Sequence, residues 1–259
     1  MSATAMSAVP ILLYHSISDQ PVAGQEAFTV TPTAFREHVR AIVDAGCTAL
    51  TASEMATALR GDGILPPRPV LVTFDDGFAD AQPAIELLLS EGLGATVFIT
   101  SGEIGVAPML TPTDIRGLAE LGPRVEVGAH SVTHPRLDEI PAPQAAVEIS
   151  DSKATIEAIV EAPLKSFAYP HGAYDKRVRT EVVNAGFHAA TAVKNALSHN
   201  RDDSYALARV TVMASTSTQR VKMLLAGSGA PLAWRHERMR TRGYRSIRRI
   251  HRQLRRTSE

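Results

Sequence analysis

Apolar residues along this chain gather into short unbroken runs separated by stretches of helical spacing. Val9–Tyr14 (VPILLY), Pro69–Phe74 (PVLVTF), Ala95–Thr100 and Val125–Gly128 are runs of the first kind, followed by Ser166–Tyr169, Phe187–Ala192 and Ala206–Val212, with a shorter one at Thr48–Leu50. Continuous apolar runs of this length mark strands buried on both faces. Between them the spacing predicts helices over Thr33–Ala45, Ser53–Arg60, Ala79–Glu91, Thr113–Leu121, Pro143–Val160, Lys176–Ala185 and Thr218–Ala226. Thr31 or Thr33 is placed to cap the first helix and Ser53 the second. Gly46 and Gly186 end the first and sixth, and Pro83 falls in the first turn of the third. Strands that alternate with helices pair in parallel and are covered by those helices. The expected fold is a distorted (β/α) barrel of about seven parallel strands, with an open doubly wound sheet as the alternative. The barrel is preferred because Asp75-Asp76, His130 and Pro170-His171-Gly172 each follow a different strand, and a barrel gathers its strand ends on one face.

The pattern changes at Gly227-Ser228-Gly229-Ala230-Pro231, which reads as a linker. Beyond it Tyr244, Ile247, Ile250 (or His251) and Leu254 recur at helical spacing, while Arg245, Arg248, Arg249, Arg252, Arg255 and Arg256 fill the other faces. That is a basic amphipathic helix. The 259-residue chain has zero net charge, yet ten Arg against Glu237 and Glu259 make the segment from Trp234 onward +8, which leaves −8 on the 233 residues before it. The expected division is one catalytic domain over residues 9–226 and a linker with basic tail over 227–259. The tail suits an anionic membrane surface, an acidic body (its own or a neighbour's), or plain solvation. Nucleic acid is disfavoured, because no aromatic residues interleave with the arginines.

Composition adds exclusions. Cys47 is the only cysteine, which rules out an intrachain disulfide and a multi-cysteine zinc site, and it reads as a small buried apolar residue. The first residues lack the basic and apolar regions of a signal peptide, and no apolar run approaches the ~18 residues of a membrane span. The expected location is cytoplasmic, peripheral at the inner membrane face if the tail docks there. No G-x-G-x-x-G or Walker sequence supports nucleotide binding.

Two segments carry chemistry. Thr73-Phe74-Asp75-Asp76-Gly77 sets two carboxylates side by side where a strand stops, and His130-Ser131-Val132-Thr133-His134 sets two imidazoles four residues apart, on one face if the segment is a helical turn. One Asp and two His hold a divalent cation and leave positions open, and a second Asp beside them is free to take a proton from water. Either segment alone is weak, since Asp-Gly is a common turn signal; their joint occurrence at strand ends is not. Such a set suits zinc first, with cobalt, nickel or manganese also compatible. His38, on a helix read as exposed, and His188 and His199 read as structural or surface residues.

These segments resemble the polysaccharide deacetylase family (NodB homology, carbohydrate esterase family 4). Thr73–Gly77 is similar to its first motif, and His130–His134 to its second, H-[S/T]-x-x-H. Phe167-Ala168-Tyr169-Pro170-His171-Gly172 looks like its third motif in the variant form F-A-Y-P-x-G, and Pro10–Ser16 resembles the N-terminus of members acting on poly-N-acetylglucosamine. The resemblance runs from about Val9 to Val212. It implies a metal-dependent hydrolase that removes N-acetyl groups from an N-acetylhexosamine-containing glycan or glycolipid. Asp76, His130 and His134 would bind the metal, Asp75 would be the general base, and backbone N–H groups after Pro170 would bind the oxyanion. Two departures stand out. Arg209 occupies the place of the family's late acid histidine, which makes His15 either the substitute acid or a packing residue. Ala168 replaces an Arg that orients the catalytic Asp, so Arg209 either reaches Asp75 from another strand or pairs with a surface carboxylate. His171 replaces a Tyr and contacts sugar or contributes only backbone. Tyr174 lines the cleft, and Asp175 caps the next helix. Deformylation of a lipid-linked amino sugar and opening of a cyclic amide are alternatives within the family. A metal-binding but inactive glycan-recognition protein is the rival from another class.

Overall fold

The structure, a computed structural model, describes residues 7–234. The expected basic helix lies outside the described residues. The chain opens with β1 (Ala8–Val9) and β2 (Ile11–Tyr14), and β3 (Ser16–Ile17) pairs in parallel with β4 (Thr29–Val30). Thr31 caps α1 (Pro32–Asp44) by accepting from Ala34 N. After β5 (Thr48–Ala49) comes α2 (Ala52–Arg60), capped by Thr51 and not by Ser53. Thr51 wins because Glu54 then falls at the third helical position and returns a bond to Thr51 N, closing a capping box. There follow β6 (Pro69–Phe74), α3 (Ala81–Ser90), β7 (Ala95–Ile99), α4 (Pro112–Glu120), β8 (Val125–Ala129), α5 (Ala142–Val160), β9 (Ser166–Ala168), α6 (Lys176–Asn184), β10 (Ala189–Val193), β11 (Ser198–His199), β12 (Leu207–Thr211) and α7 (Thr218–Leu225).

Seven of these strands close on themselves in the order β2-β12-β10-β9-β8-β7-β6, with β6 pairing back to β2. All seven pairings are parallel. Closure excludes the open sheet: β6 pairs with both β7 and β2, so neither end of the set is left as an edge. The strands bury one face inward and the other against the helices. The inward layer includes Val9, Ile11, Leu71, Phe98, Ala168 and Leu207, joined by Ala52 and Met55 of α2. That helix plugs the N-terminal mouth of the barrel, with Ala52 N donating to Thr96 Oγ1 (3.0 Å) and Ser53 N to Glu126 Oε2 (2.9 Å). The interior is tight: a Cβ on Gly128 would lie 2.7 Å from Phe98 Cδ1 and from Ser166 Oγ. With that end plugged, the side chains that follow the strands have only the C-terminal mouth to work in.

Two sequence expectations fail on burial. His38 is fully buried, with Nδ1 3.1 Å from Tyr14 Oη. It lies on the apolar stripe of α1 with Phe35, Val39 and Ile42, the spacing of one helix face. The stretch read as a linker turns back onto the body at Gly227 and Gly229 (φ 73° and 81°). Leu197 N then donates to Pro231 O and Ala233 N to Leu197 O, and Ala233 is buried. Its Gly/Ser/Pro composition hid the apolar Leu232-Ala233 pair that anchors it. No helix among the described residues is long and apolar enough to cross a membrane.

Candidate active site

β6 ends at Phe74 and delivers two carboxylates in different directions. Asp75 N donates to Tyr14 O, and the Asp75 side chain is buried at the mouth of the barrel. Arg209, fully buried and projecting inward from β12, meets it with two parallel bonds, Nη1–Oδ1 at 2.6 Å and Nη2–Oδ2 at 2.7 Å. The same Nη1 reaches Thr73 Oγ1, and the guanidinium lies over the Phe98 ring. Arg209 is therefore spent on Asp75 and not on a surface carboxylate. Burial pushes the Asp75 carboxyl up, but the charge and hydrogen bonds of the Arg209 guanidinium outweigh it and hold the group at about 2. At Asp76 the backbone enters the left-handed region (φ 71°) and Gly77 continues it (φ 90°), which swings the second carboxylate away from Arg209. Burial, with the charges of Asp75 and Glu103 adding to it, raises Asp76 to about 6.

His130 follows β8. Its Nδ1 lies 2.8 Å from Ala168 O, and since a carbonyl only accepts, Nδ1 carries the proton and Nε2 presents its lone pair. The segment to His134 is not a helical turn: Ser131 and His134 both hold left-handed φ values, 65° and 56°. The imidazoles meet because the loop doubles back, not because they share a helix face. Their Nε2 atoms are 3.2 Å apart, and Asp76 Oδ1 lies 3.6 Å from the first and 3.5 Å from the second. Donors about 2.0–2.1 Å from one tetrahedral zinc ion stand about 3.3–3.4 Å from each other, so this triangle has the size such an ion requires. Among the described residues Asp76, His130 and His134 form the one such group of potential ligands. Burial lowers both histidines, His130 to about 3, and keeps them neutral as ligands must be. Asp75 Oδ2 stands beside the group, 3.6 Å from His130 Nε2.

The softer expectations divide. His15 follows β2 and packs against Phe28, its Nδ1 buried without a hydrogen-bond partner among the described residues. It stands close enough to Asp75 and Asp76 to interact electrostatically with both. His171 (φ 56°) sets its ring edge-on to His134, centroids 4.4 Å apart. The N–H groups of Gly172 and Ala173 are spent on Tyr169 O and Pro170 O, which leaves that of His171. Gly172 is required for close approach, since a Cβ there would lie 2.4 Å from Val193 N. The Tyr174 ring is half-buried and stacks on Tyr169 at 4.7 Å. Asp175 caps α6 by accepting from Val178 N.

The sequence profile described as polysaccharide deacetylase matches residues 62–190, the stretch that holds Asp75, Asp76, His130, His134 and Pro170–Gly172. The chain belongs to the polysaccharide deacetylase family. It is 29% identical over 205 residues to YxkH of Bacillus subtilis (strain 168), a protein named for the same family, covering 79% of this chain and 71% of that one. Among solved structures it is similar to BC0361, a polysaccharide deacetylase from Bacillus cereus (25% identity, TM-score 0.74, 85% of this chain and 69% of that one). It shares its fold with the Streptococcus pyogenes deacetylase PplD in complex with acetate (22% identity, TM-score 0.77, 88% of this chain and 100% of that one).

Sequence reading missed two carboxylates of this deacetylase. Asp80 ties the segment after His15 to the loop after Asp76, accepting from Ser16 Oγ (2.6 Å) and Ile17 N (3.1 Å). Glu148, on α5, accepts from Val132 N, Thr133 N and Thr133 Oγ1. Glu148 left a signal: it interrupts an otherwise small and apolar stripe formed by Ala145, Ile149, Ser152 and Ile156. Asp80 left none, because its partners come from a distant loop.

Proposed function

We propose that this chain is a metal-dependent deacetylase that removes N-acetyl groups from an N-acetylhexosamine-containing glycan or glycolipid. The observation that carries the reading is the ligand triangle of Asp76, His130 and His134 with an ionised Asp75 beside it. Zinc is the first choice for this donor set, and cobalt, nickel or manganese are compatible with it. When bound, such an ion lowers the pKa of water from ~15.7 to about 7 and polarises the amide carbonyl.

The side chains then have separate tasks. Arg209 keeps Asp75 ionised and fixes both its oxygens in one plane. A carboxylate has about four lone-pair sites, so Asp75 can still accept the proton of the attacking water. The His171 N–H is the donor left after Pro170 for the oxygen on which charge develops. As the C–O bond forms and the C–N bond breaks, His15 gives a proton to the leaving amine, and acetate and a free amino sugar result. The inactive-binder reading draws on the missing Arg at position 168 and on the missing late histidine; Arg209 supplies the first pairing from β12. We take residues 9–226 as the catalytic domain, with its packed edge reaching Ala233.

The test is acetate release from N-acetylglucosamine oligomers and glycolipids by chelator-stripped protein, with and without added zinc or cobalt. Metal-restored release is expected, together with its loss in Asp75→Asn at unchanged metal binding. Undiminished release by Asp75→Asn would refute the base assignment. No release from any substrate despite tight metal binding would favour the binder.

A further inference from the structure

We propose that Glu148 is a positioning residue for the metal-binding loop: its carboxylate fills an anion nest in residues 131–133 and so fixes where His134 presents Nε2. The inference rests on the metal reading above. Glu148 is 6% exposed. One of its oxygens accepts from Val132 N (2.9 Å) and Thr133 N (2.8 Å), and the other from the Thr133 hydroxyl (2.6 Å). Consecutive N–H groups that follow a left-handed residue converge into a concavity that favours an anion, and Ser131 (φ 65°) begins one here. The opposite side of the loop is held by backbone. Ser131 O accepts from Ser101 N and Val132 O from Gly102 N, with Gly102 so close that a Cβ on it would lie 2.6 Å from Val132 O. His134 N donates to Ser131 Oγ.

The loop is gripped on both sides because it needs to be. Ser131 and His134 both occupy a backbone region that is sparsely populated for residues with a Cβ. Glu148 gives one oxygen to the N–H groups of Val132 and Thr133 between them and the other to the Thr133 hydroxyl. Without that carboxylate these two peptide units keep only their carbonyl bonds to Ser101 N and Gly102 N, and His134 Nε2 shifts from the 3.2 Å and 3.5 Å separations it keeps from His130 and Asp76. Glu148 lies outside the ligand group itself. It acts on the metal only through the loop, as groups that orient metal ligands commonly do.

The experiment titrates cobalt into chelator-stripped wild-type protein, Glu148→Ala, Glu148→Asp and Glu148→Gln. Affinity is read by competition with a chromophoric chelator, geometry by the visible cobalt bands, and fold by thermal unfolding of the metal-free proteins. Glu148→Ala and Glu148→Asp are expected to lose about 10–100-fold in affinity and to change the cobalt bands. Glu148→Gln is expected to stay close to wild type, because its amide oxygen accepts both backbone N–H groups and its NH2 donates to the Thr133 hydroxyl. If Glu148→Ala does not fold, Glu148→Asp, which retracts the carboxylate by one methylene, decides alone. Wild-type affinity and bands in Glu148→Asp, with only a lowered melting temperature, would overturn the inference and leave the metal reading standing. Wild-type protein that binds no cobalt would overturn both.

Discussion

Asp75 and Asp76 are adjacent in sequence, yet their surroundings drive them apart. Arg209 holds the first at about 2, while burial raises the second to about 6. The second shift has a sign that stability measurements can read. A carboxyl whose folded value lies above its ordinary 3.8 favours the folded state only while protonated. Metal-free protein therefore loses stability as pH rises from 3.8 through about 6. The loss amounts to about 3 kcal/mol. Asp76→Asn, measured metal-free, should unfold at higher temperature than wild type at pH 7 and show no such advantage near pH 4, while losing metal affinity. An equal melting temperature at pH 7 would remove this account. Arg209→Ala should act in the opposite sense, because it leaves the Asp75 charge buried and unpaired; a loss of about 3–5 kcal/mol in denaturant titrations is expected. The residues that gather at the mouth of the barrel were legible as motifs. Sequence offered Arg209 as a partner of Asp75 but left a surface carboxylate equally open, since Arg209 is 134 positions away and only barrel closure brings β12 near β6 through β2.

At the scale of elements, the barrel strands were read nearly to the residue because they lie in apolar runs, whereas the two-residue β3, β4 and β11 were not read and a polar residue within a helix was misjudged. His38 sits on an inward stripe, and polarity alone argued for exposure. The H-x-x-x-H segment was taken as a possible helical turn because nothing in Ser131 or His134 announces a left-handed backbone. The third motif gives the sharpest test at this scale. Ala168 is fully buried on β9, and its carbonyl holds His130. Both oxygens of Asp75 already face Arg209, so restoring the family residue with Ala168→Arg would place a second guanidinium in a filled interior. It should cost several kcal/mol through overpacking and an unpaired charge and yield no gain in turnover. A variant that is as stable as wild type and faster would mean that Arg209 is only a partial substitute.

For the molecule as a whole, alternation of strand and helix was enough to name the barrel, and the placement of three motifs at strand ends was enough to choose it over an open sheet. Where the folded body stops was less legible, because residues 230–233 pack against Leu197 and its neighbours despite a linker-like composition. The +8 segment starts at Trp234, an exposed residue just past that packed edge. We propose that it binds anionic membrane, at about 1 kcal/mol per basic residue near the surface. The full chain should float with vesicles rich in anionic lipid at low salt and a chain ending at Trp234 should not; identical behaviour of the two would exclude the tail as an anchor. The plug formed by α2 has a further consequence. A barrel sealed at one end has a single doorway, so under the function proposed above acetate would leave by the route through which the glycan enters. A polymer that remains seated after cleavage would hold the small product behind it. Turnover on long chains would then be governed by how often the chain lets go, and short oligomers, which clear the doorway at each cycle, would turn over faster per bound site.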